Sequence, residues 1–178
     1  MPPALVRSRR IAAALVIAAG TVSLASCSLG GDSNLPAFTD PATQTYAAIT
    51  NVTIANMTRV NAQIYTQDVT VGTGRVLAKG DSIQVYYAGR LTGGFQFDAR
   101  ARPSTPFASV LDTTRLIKGW VNGLAGMKVG GIRRMAIGPE SAYQYSTVRD
   151  PAGNIIIPAN SVLVFEVELA DAISLGRQ

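Results

Sequence analysis

Two stretches of the chain alternate between apolar and polar side chains. Over residues 82–87, Ile83, Val85 and Tyr87 fall on one face and Ser82, Gln84 and Tyr86 on the other. Over residues 161–169, Leu163, Phe165, Val167 and Leu169 point one way while Glu166 and Glu168 point the other. A period of two is that of a strand with one buried face. Residues 131–137 form a third candidate strand, in which the adjacent Arg133 and Arg134 must point to opposite faces. Between these segments the period changes. Leu116, Ile117, Trp120, Val121 and Leu124 recur at helical spacing, and Gly126 with Gly130 and Gly131 frames the turn out of a short amphipathic helix. Several strands and one helix predict an α+β domain: a twisted antiparallel β-sheet wrapped over one short α-helix. Residues 98–115 and 143–160 carry no clear period, and long loops in compact domains tend to be functional.

The N-terminus follows a different logic. Arg7, Arg9 and Arg10 precede an uncharged run of small and apolar residues from Ile11 to Ala25. This is the layout of an export signal, and the run is short for a membrane span. It ends at Leu24-Ala25-Ser26-Cys27, which resembles the lipobox of bacterial lipoproteins. Cys27 is the chain's single cysteine, the candidate lipidation site. Ser8-Arg9-Arg10 is similar to the opening of a twin-arginine signal, but Ala12 and Ala13 stand where bulky residues belong, so ordinary secretion is expected. The expected organisation is a lipoprotein signal over residues 1–26, a lipidated tether over 27–58, rich in Gly, Ser, Asp, Asn and Thr, and a folded domain over 59–178. Several acyl chains on Cys27 would hold the protein to the cell envelope, at the periplasmic face of the outer membrane in a host with two membranes.

Composition narrows the chemistry. With no histidine, the chain excludes Ser-His-Asp and Cys-His catalysis and every His-ligated zinc or haem site, and one cysteine forms no internal disulfide. The net charge of +5 looks at first like a nucleic-acid signal. Loss of the three signal arginines leaves 13 of the 16 basic side chains against 11 acidic ones, a charge of about +2. That is too little to argue for a nucleic-acid partner.

Eight fragments then appear in order, among them Val71-Gly-Thr-Gly74, Val85-Tyr-Tyr-Ala-Gly89, Phe97-Asp98, Pro106-Phe107, Leu116-Ile-Lys-Gly-Trp120, Ala142-Tyr143 and the run from Ile157 to Leu169. Together, over residues 63–173, they resemble the FKBP-type peptidyl-prolyl cis-trans isomerases. The resemblance implies an FKBP-like fold and rotation about X-Pro bonds with no cofactor and no metal. It implies proline-containing polypeptides as substrates and the family's macrolides as inhibitors. By the same resemblance Trp120 floors the site, and Tyr87, Phe97, Phe107, Leu116, Ile117 and Phe165 wall it. The Ile117 N–H and the Tyr143 hydroxyl would bind substrate carbonyls. Asp98 would sit at the buried edge, held by the Tyr87 hydroxyl, to polarise and orient. Ile156 and Ile157 would line the loop leaning over the site.

The chain departs from the family pattern near that loop. Gln144 follows Tyr143 where glycine is usual, about five residues around 149–153 lengthen the loop, and Ala159 replaces a proline. Ser109 stands where a second pocket phenylalanine often lies. A monomer is expected. The rival reading is a membrane-anchored module that binds proline segments as a chaperone with little turnover.

Overall fold

The computed structural model describes residues 35–176, and the compact unit it contains begins at Pro36. The candidate signal and Cys27 lie outside the described residues. Nine strands and one α-helix follow three 3-10 turns: β1 (Thr58–Asn61), β2 (Ile64–Thr70), β3 (Ser82–Leu91), β4 (Gln96–Arg100), β5 (Phe107–Val110), α1 (Lys118–Leu124), β6 (Ile132–Ile137), β7 (Val148–Arg149), β8 (Ile155–Ile157) and β9 (Leu163–Ile173). The main sheet runs β1-β2-β6-β9-β3-β4, with β5 also pairing β3, and every pairing is antiparallel. This is the α+β architecture expected from the two periodicities.

The predicted faces hold. Ile83 and Val85 of β3, Met135 and Ile137 of β6, and Leu163, Phe165, Val167 and Leu169 of β9 are buried in one core with Trp120, Val121 and Leu124 of α1. Arg133 and Arg134 do face opposite ways. The Arg133 guanidinium makes a two-pronged ion pair with Asp68 and donates to the carbonyls of Gly123 and Ala125, where α1 ends. Those carbonyls have no partner within the helix, and a guanidinium there also complements the negative end of the helix dipole. Arg134 instead pairs with Glu166 and donates to the Asn51 carbonyl on the outer face.

Residues 36–58 do not form the loose tether expected of them. They form three 3-10 turns, Pro41–Thr43, Ala48–Thr50 and Ile54–Asn56, the first close to Gly138 at the end of β6 and the second ending at Asn51, whose carbonyl accepts from Arg134 on the outer face of the sheet. Pro41 and Thr50 are buried, the Ala47 N–H donates to the Thr92 carbonyl, and the outward-facing Tyr65, Ala136 and Val164 are buried as well. Tyr46 donates to the Pro41 carbonyl, and burial raises its pKa. Isolated apolar anchors and backbone bonds hold this segment. They leave no periodic signal to be read.

β3 carries two edge partners. Its first half pairs β5 as far as Val85–Phe107, and its second half pairs β4 from Tyr87–Arg100 onward. Tyr87, Phe97 and Phe107 flank the split, and α1 lies beneath. The close approach of α1 to β6 depends on Gly119, where a Cβ would meet Ile137 Cγ2 at 2.3 Å. Gly119→Ala should therefore destabilise the domain by about 1–3 kcal/mol, the usual range for overpacking a rigid core. Urea denaturation followed by Trp120 fluorescence measures this, and an unchanged midpoint would show that α1 shifts freely.

Candidate active site

The main cavity, about 440 Å³, opens between the split edge of β3 and the N-terminal end of α1. Its lining combines the strand residues Tyr87, Phe97, Asp98, Phe107 and Phe165 with Leu116, Ile117 and Trp120 around the helix start. Thr113, Thr114, Arg115 and Tyr143 complete the rim.

Trp120 is the hub. It is only 4% exposed, and three rings stand edge-on to it: Tyr87 at 5.2 Å and 87°, Phe165 at 5.3 Å and 89°, Phe107 at 6.2 Å and 89°. Phe97 meets Phe165 in the same way at 5.6 Å and 83°. Edge-to-face contact satisfies the ring quadrupoles and fixes each ring's orientation, so the walls are rigid as well as apolar. Gly89 makes this possible. A Cβ there would lie 2.7 Å from the Phe97 ring and 2.8 Å from that of Phe165.

The polar groups are few and placed at the edge. The Tyr87 hydroxyl donates to Asp98 Oδ2 at 2.6 Å. Asp98 itself is exposed on β4, not at a buried edge as expected, because β4 is a short outer strand with only Phe97 turned inward. Burial raises the Tyr87 pKa first, and the bond to the Asp98 carboxylate raises it further. The Tyr143 phenol is raised by burial and, more weakly, by the Asp98 charge. Ile117, a cavity-lining residue, is the N-cap of α1: its carbonyl accepts from the Trp120 and Val121 N–H groups, while its own N–H donates to no protein group among the described residues.

The rim residues Thr113, Thr114 and Arg115 escaped the sequence reading. Asp112 Oδ1 accepts from the Thr114 N–H, the Thr114 hydroxyl and the Arg115 N–H, which curls the β5–α1 connection into a tight turn. The Thr114 hydroxyl bond holds the Asp112 carboxyl below its ordinary range. An Asp followed by two threonines is a turn signature, and that signal was available. Ile156 and Ile157 are a correction in the other direction. Ile157 pairs with Val148 in the β7–β8 hairpin and is 2% exposed within the core, and Ile156 packs beside it. Neither lines the cavity.

Tyr143 is 39% exposed and follows a 3-10 turn, Pro139–Ser141. The next residue, Gln144, has φ +55°, a left-handed conformation that costs a residue other than glycine roughly 1–2 kcal/mol. It is held there by two backbone bonds, Gln144 N–H to the Pro139 carbonyl and Asn160 N–H to the Gln144 carbonyl, both 2.8 Å.

A rigid aromatic cleft at the mouth of a sheet-over-helix fold, with its hydrogen-bonded side chains at the rim, suits a small apolar ring better than a charged group. Residues 74–170 match the family model described as FKBP-type peptidyl-prolyl cis-trans isomerase. The chain is 42% identical over 107 residues to FK506-binding protein 1A of Neurospora crassa, covering 60% of this chain and 84% of that protein. It is 41% identical over 104 residues to FK506-binding protein 4 of Chaetomium thermophilum, covering 58% of this chain but only 20% of that much longer protein. The crystal structure of a peptidyl-prolyl cis-trans isomerase from Pseudomonas syringae aligns with a TM-score of 0.58 and 28% identity, over 67% of this chain and 82% of that one. The chain belongs to the FKBP-type peptidyl-prolyl cis-trans isomerases.

The contact between Tyr87 and Asp98 can be tested directly. In an absorbance titration, Tyr87 should ionise well above the ordinary phenol value of about 10. Asp98→Asn should bring it down part of the way, since burial remains. The raised phenol favours the folded state below the unfolded pKa, and this contribution is lost as pH rises above it. An unchanged titration in Asp98→Asn would show that the bond does not hold the phenol.

Proposed function

We propose that this chain is an exported, lipid-anchored isomerase that accelerates X-Pro rotation in secreted or envelope proteins, preferring an apolar residue before the proline. The carrying observation is the set of perpendicular rings around Trp120, a cleft that is apolar at its centre and polar only at its rim.

Rotation about a peptide bond has a barrier of about 18–20 kcal/mol, because the planar amide is conjugated. Its charge-separated resonance form is stabilised by water. As the bond twists, the nitrogen loses conjugation and the need for that solvation falls. A water-excluding cleft shaped to the twisted form therefore binds it better than the planar one, and differential binding of this kind is catalysis. An acceleration of about 10⁵-fold asks for roughly 7 kcal/mol. Ring packing against Trp120, Tyr87, Phe97, Phe107 and Phe165 would supply most of it. The Ile117 N–H and the Tyr143 hydroxyl would orient the flanking carbonyls, and Asp98 would polarise from the edge. No proton is transferred.

The family membership supports binding of a macrolide such as FK506 in the same cleft. The run ending at Cys27 supports the anchor, with a monomer as the working unit. Cys27→Ser should abolish labelling by palmitate and move the protein from the membrane to the soluble fraction. Retention on the membrane would sink the anchor.

Residues 28–178 should accelerate a Leu-Pro or Phe-Pro peptide, and a family macrolide should block it. Tight macrolide binding without acceleration would instead favour a proline-binding chaperone. Asp98→Asn should lower kcat/KM by roughly tenfold, about 1.4 kcal/mol. Its urea midpoint should fall only slightly, because Asp98 is exposed and the asparagine amide oxygen can still accept from the Tyr87 hydroxyl. With both phenols raised, kcat/KM should be flat from roughly pH 6 to 9, below the ordinary phenol value. A bell-shaped profile would mean proton transfer and overturn the twist mechanism.

A further inference from the structure

Residues 36–73 precede the stretch that matches the family model, and the mechanism proposed above uses none of them. Their first few residues nevertheless grip the loop that carries Tyr143. The Phe38 ring stacks on Tyr145 at 4.7 Å with 20° between the planes. The Tyr145 hydroxyl donates to the Pro36 carbonyl. The Thr39 N–H donates to Asn160 Oδ1 at 3.0 Å, and Asn160 Nδ2 donates to the Ala37 carbonyl at 3.3 Å.

Both gripped residues connect directly to the rim. Tyr145 is two residues from Tyr143, and the Ser146 N–H donates to the Tyr143 carbonyl at 2.9 Å. The Asn160 N–H donates to the carbonyl of Gln144, the very next residue, at 2.8 Å. Gln144 and Asn160 both hold positive φ, +55° and +57°. Such backbones relax unless their surroundings over-determine them. Here the surroundings include chain from outside the family domain. The contacts fall on residues that follow Tyr143 directly or bond to its neighbour, and Tyr143 itself lines the cavity.

We infer that residues 36–39 are a brace that sets the position of Tyr143 at the cavity rim, and that Phe38 and Asn160 are positioning residues for substrate binding. This rests on the isomerase reading of the cavity. The brace acts on where the substrate carbonyl is held, not on the aromatic floor, so it bears on KM more than on kcat.

The full chain tests this with Phe38→Ala and with Asn160→Gly, which keeps a positive φ accessible while deleting both side-chain bonds. Each should raise KM for a Leu-Pro peptide by roughly fivefold while kcat changes less than about twofold, as expected when a positioning contact loosens. Phe38→Tyr should restore the value. In a Tyr143→Ala background Phe38→Ala should add nothing, because the two act in series. Amide exchange at residues 144 and 160 should quicken while residues 163–169 stay protected. An unchanged KM, or an equal loss in the Tyr143→Ala background, would overturn the inference, as would exchange quickening through the whole sheet. If the unaltered chain accelerates no peptide, the isomerase reading fails by itself. The exchange comparison then still decides the brace, and unchanged exchange at 144 and 160 would refute it.

Discussion

Helix α1 is seven residues long, and helices of that length do not persist in water by themselves. Its existence depends on being pressed against the concave face of the sheet, and so does nearly everything the cleft requires. Gly119 lets the helix axis approach Ile137, Arg133 neutralises the carbonyls at its end, and Trp120, Val121 and Leu124 fill the core beneath. The same residue that completes the core, Trp120, is the floor of the cleft. Stability and site are therefore not separate here. Any change that lifts α1 also tilts the floor relative to rings carried by β3, β4, β5 and β9.

That coupling suits a reaction in which no bond is made or broken. A site that works by shape must keep its shape, and edge-to-face rings around one indole do so without polar cross-links. Polar groups would bring water into the centre and favour the planar amide. The cleft places them at the rim, where the Tyr87 hydroxyl holds Asp98 and the turn closed by Asp112 supports Thr113 and Thr114. Gly89 belongs to the same logic. It yields its side-chain volume so that Phe97 and Phe165 can meet over β3.

How much of this was legible in the sequence depended on how regularly each element is buried. β3, α1 and the second half of β9 were readable because one face is packed more deeply than the other, whereas β6, buried on both faces from Met135 onward, showed only as a candidate strand. β3 runs on to Leu91 past its readable part because Ala88 and Gly89 interrupt the alternation, and Gly89 does so to make room for two rings. β4 and β5 lie at the sheet edge, β4 mostly exposed and β5 mostly half-buried, and both are short and carry too little pattern to announce themselves. The aromatic walls were legible as a set only through the family resemblance, since an inward-facing aromatic looks the same in a core and in a cleft. Ile156 and Ile157 misled because three consecutive isoleucines carry no facing information, and the β7–β8 pairing turned them to the core. Residues 36–58 looked like a tether because single side chains and backbone bonds hold them in place.

The loop after β6 shows why that last omission matters. A glycine after Tyr143 would hold a left-handed backbone at no steric cost, and Gln144 holds it with strain. The loop is fixed partly by its own backbone bonds and by the β7–β8 hairpin packed on the core. Further contacts run through Asn160 and Tyr145 to Pro36, Ala37, Phe38 and Thr39. Strain inside the family domain is thus matched by contacts from outside it. The rigid aromatic floor and the rim have different mechanical sources, the first in the sheet and helix, the second partly in a segment that sequence periodicity passes over. Separate sources allow the rim to vary, and with it the hold on the substrate backbone, while the floor stays as the twisted amide requires.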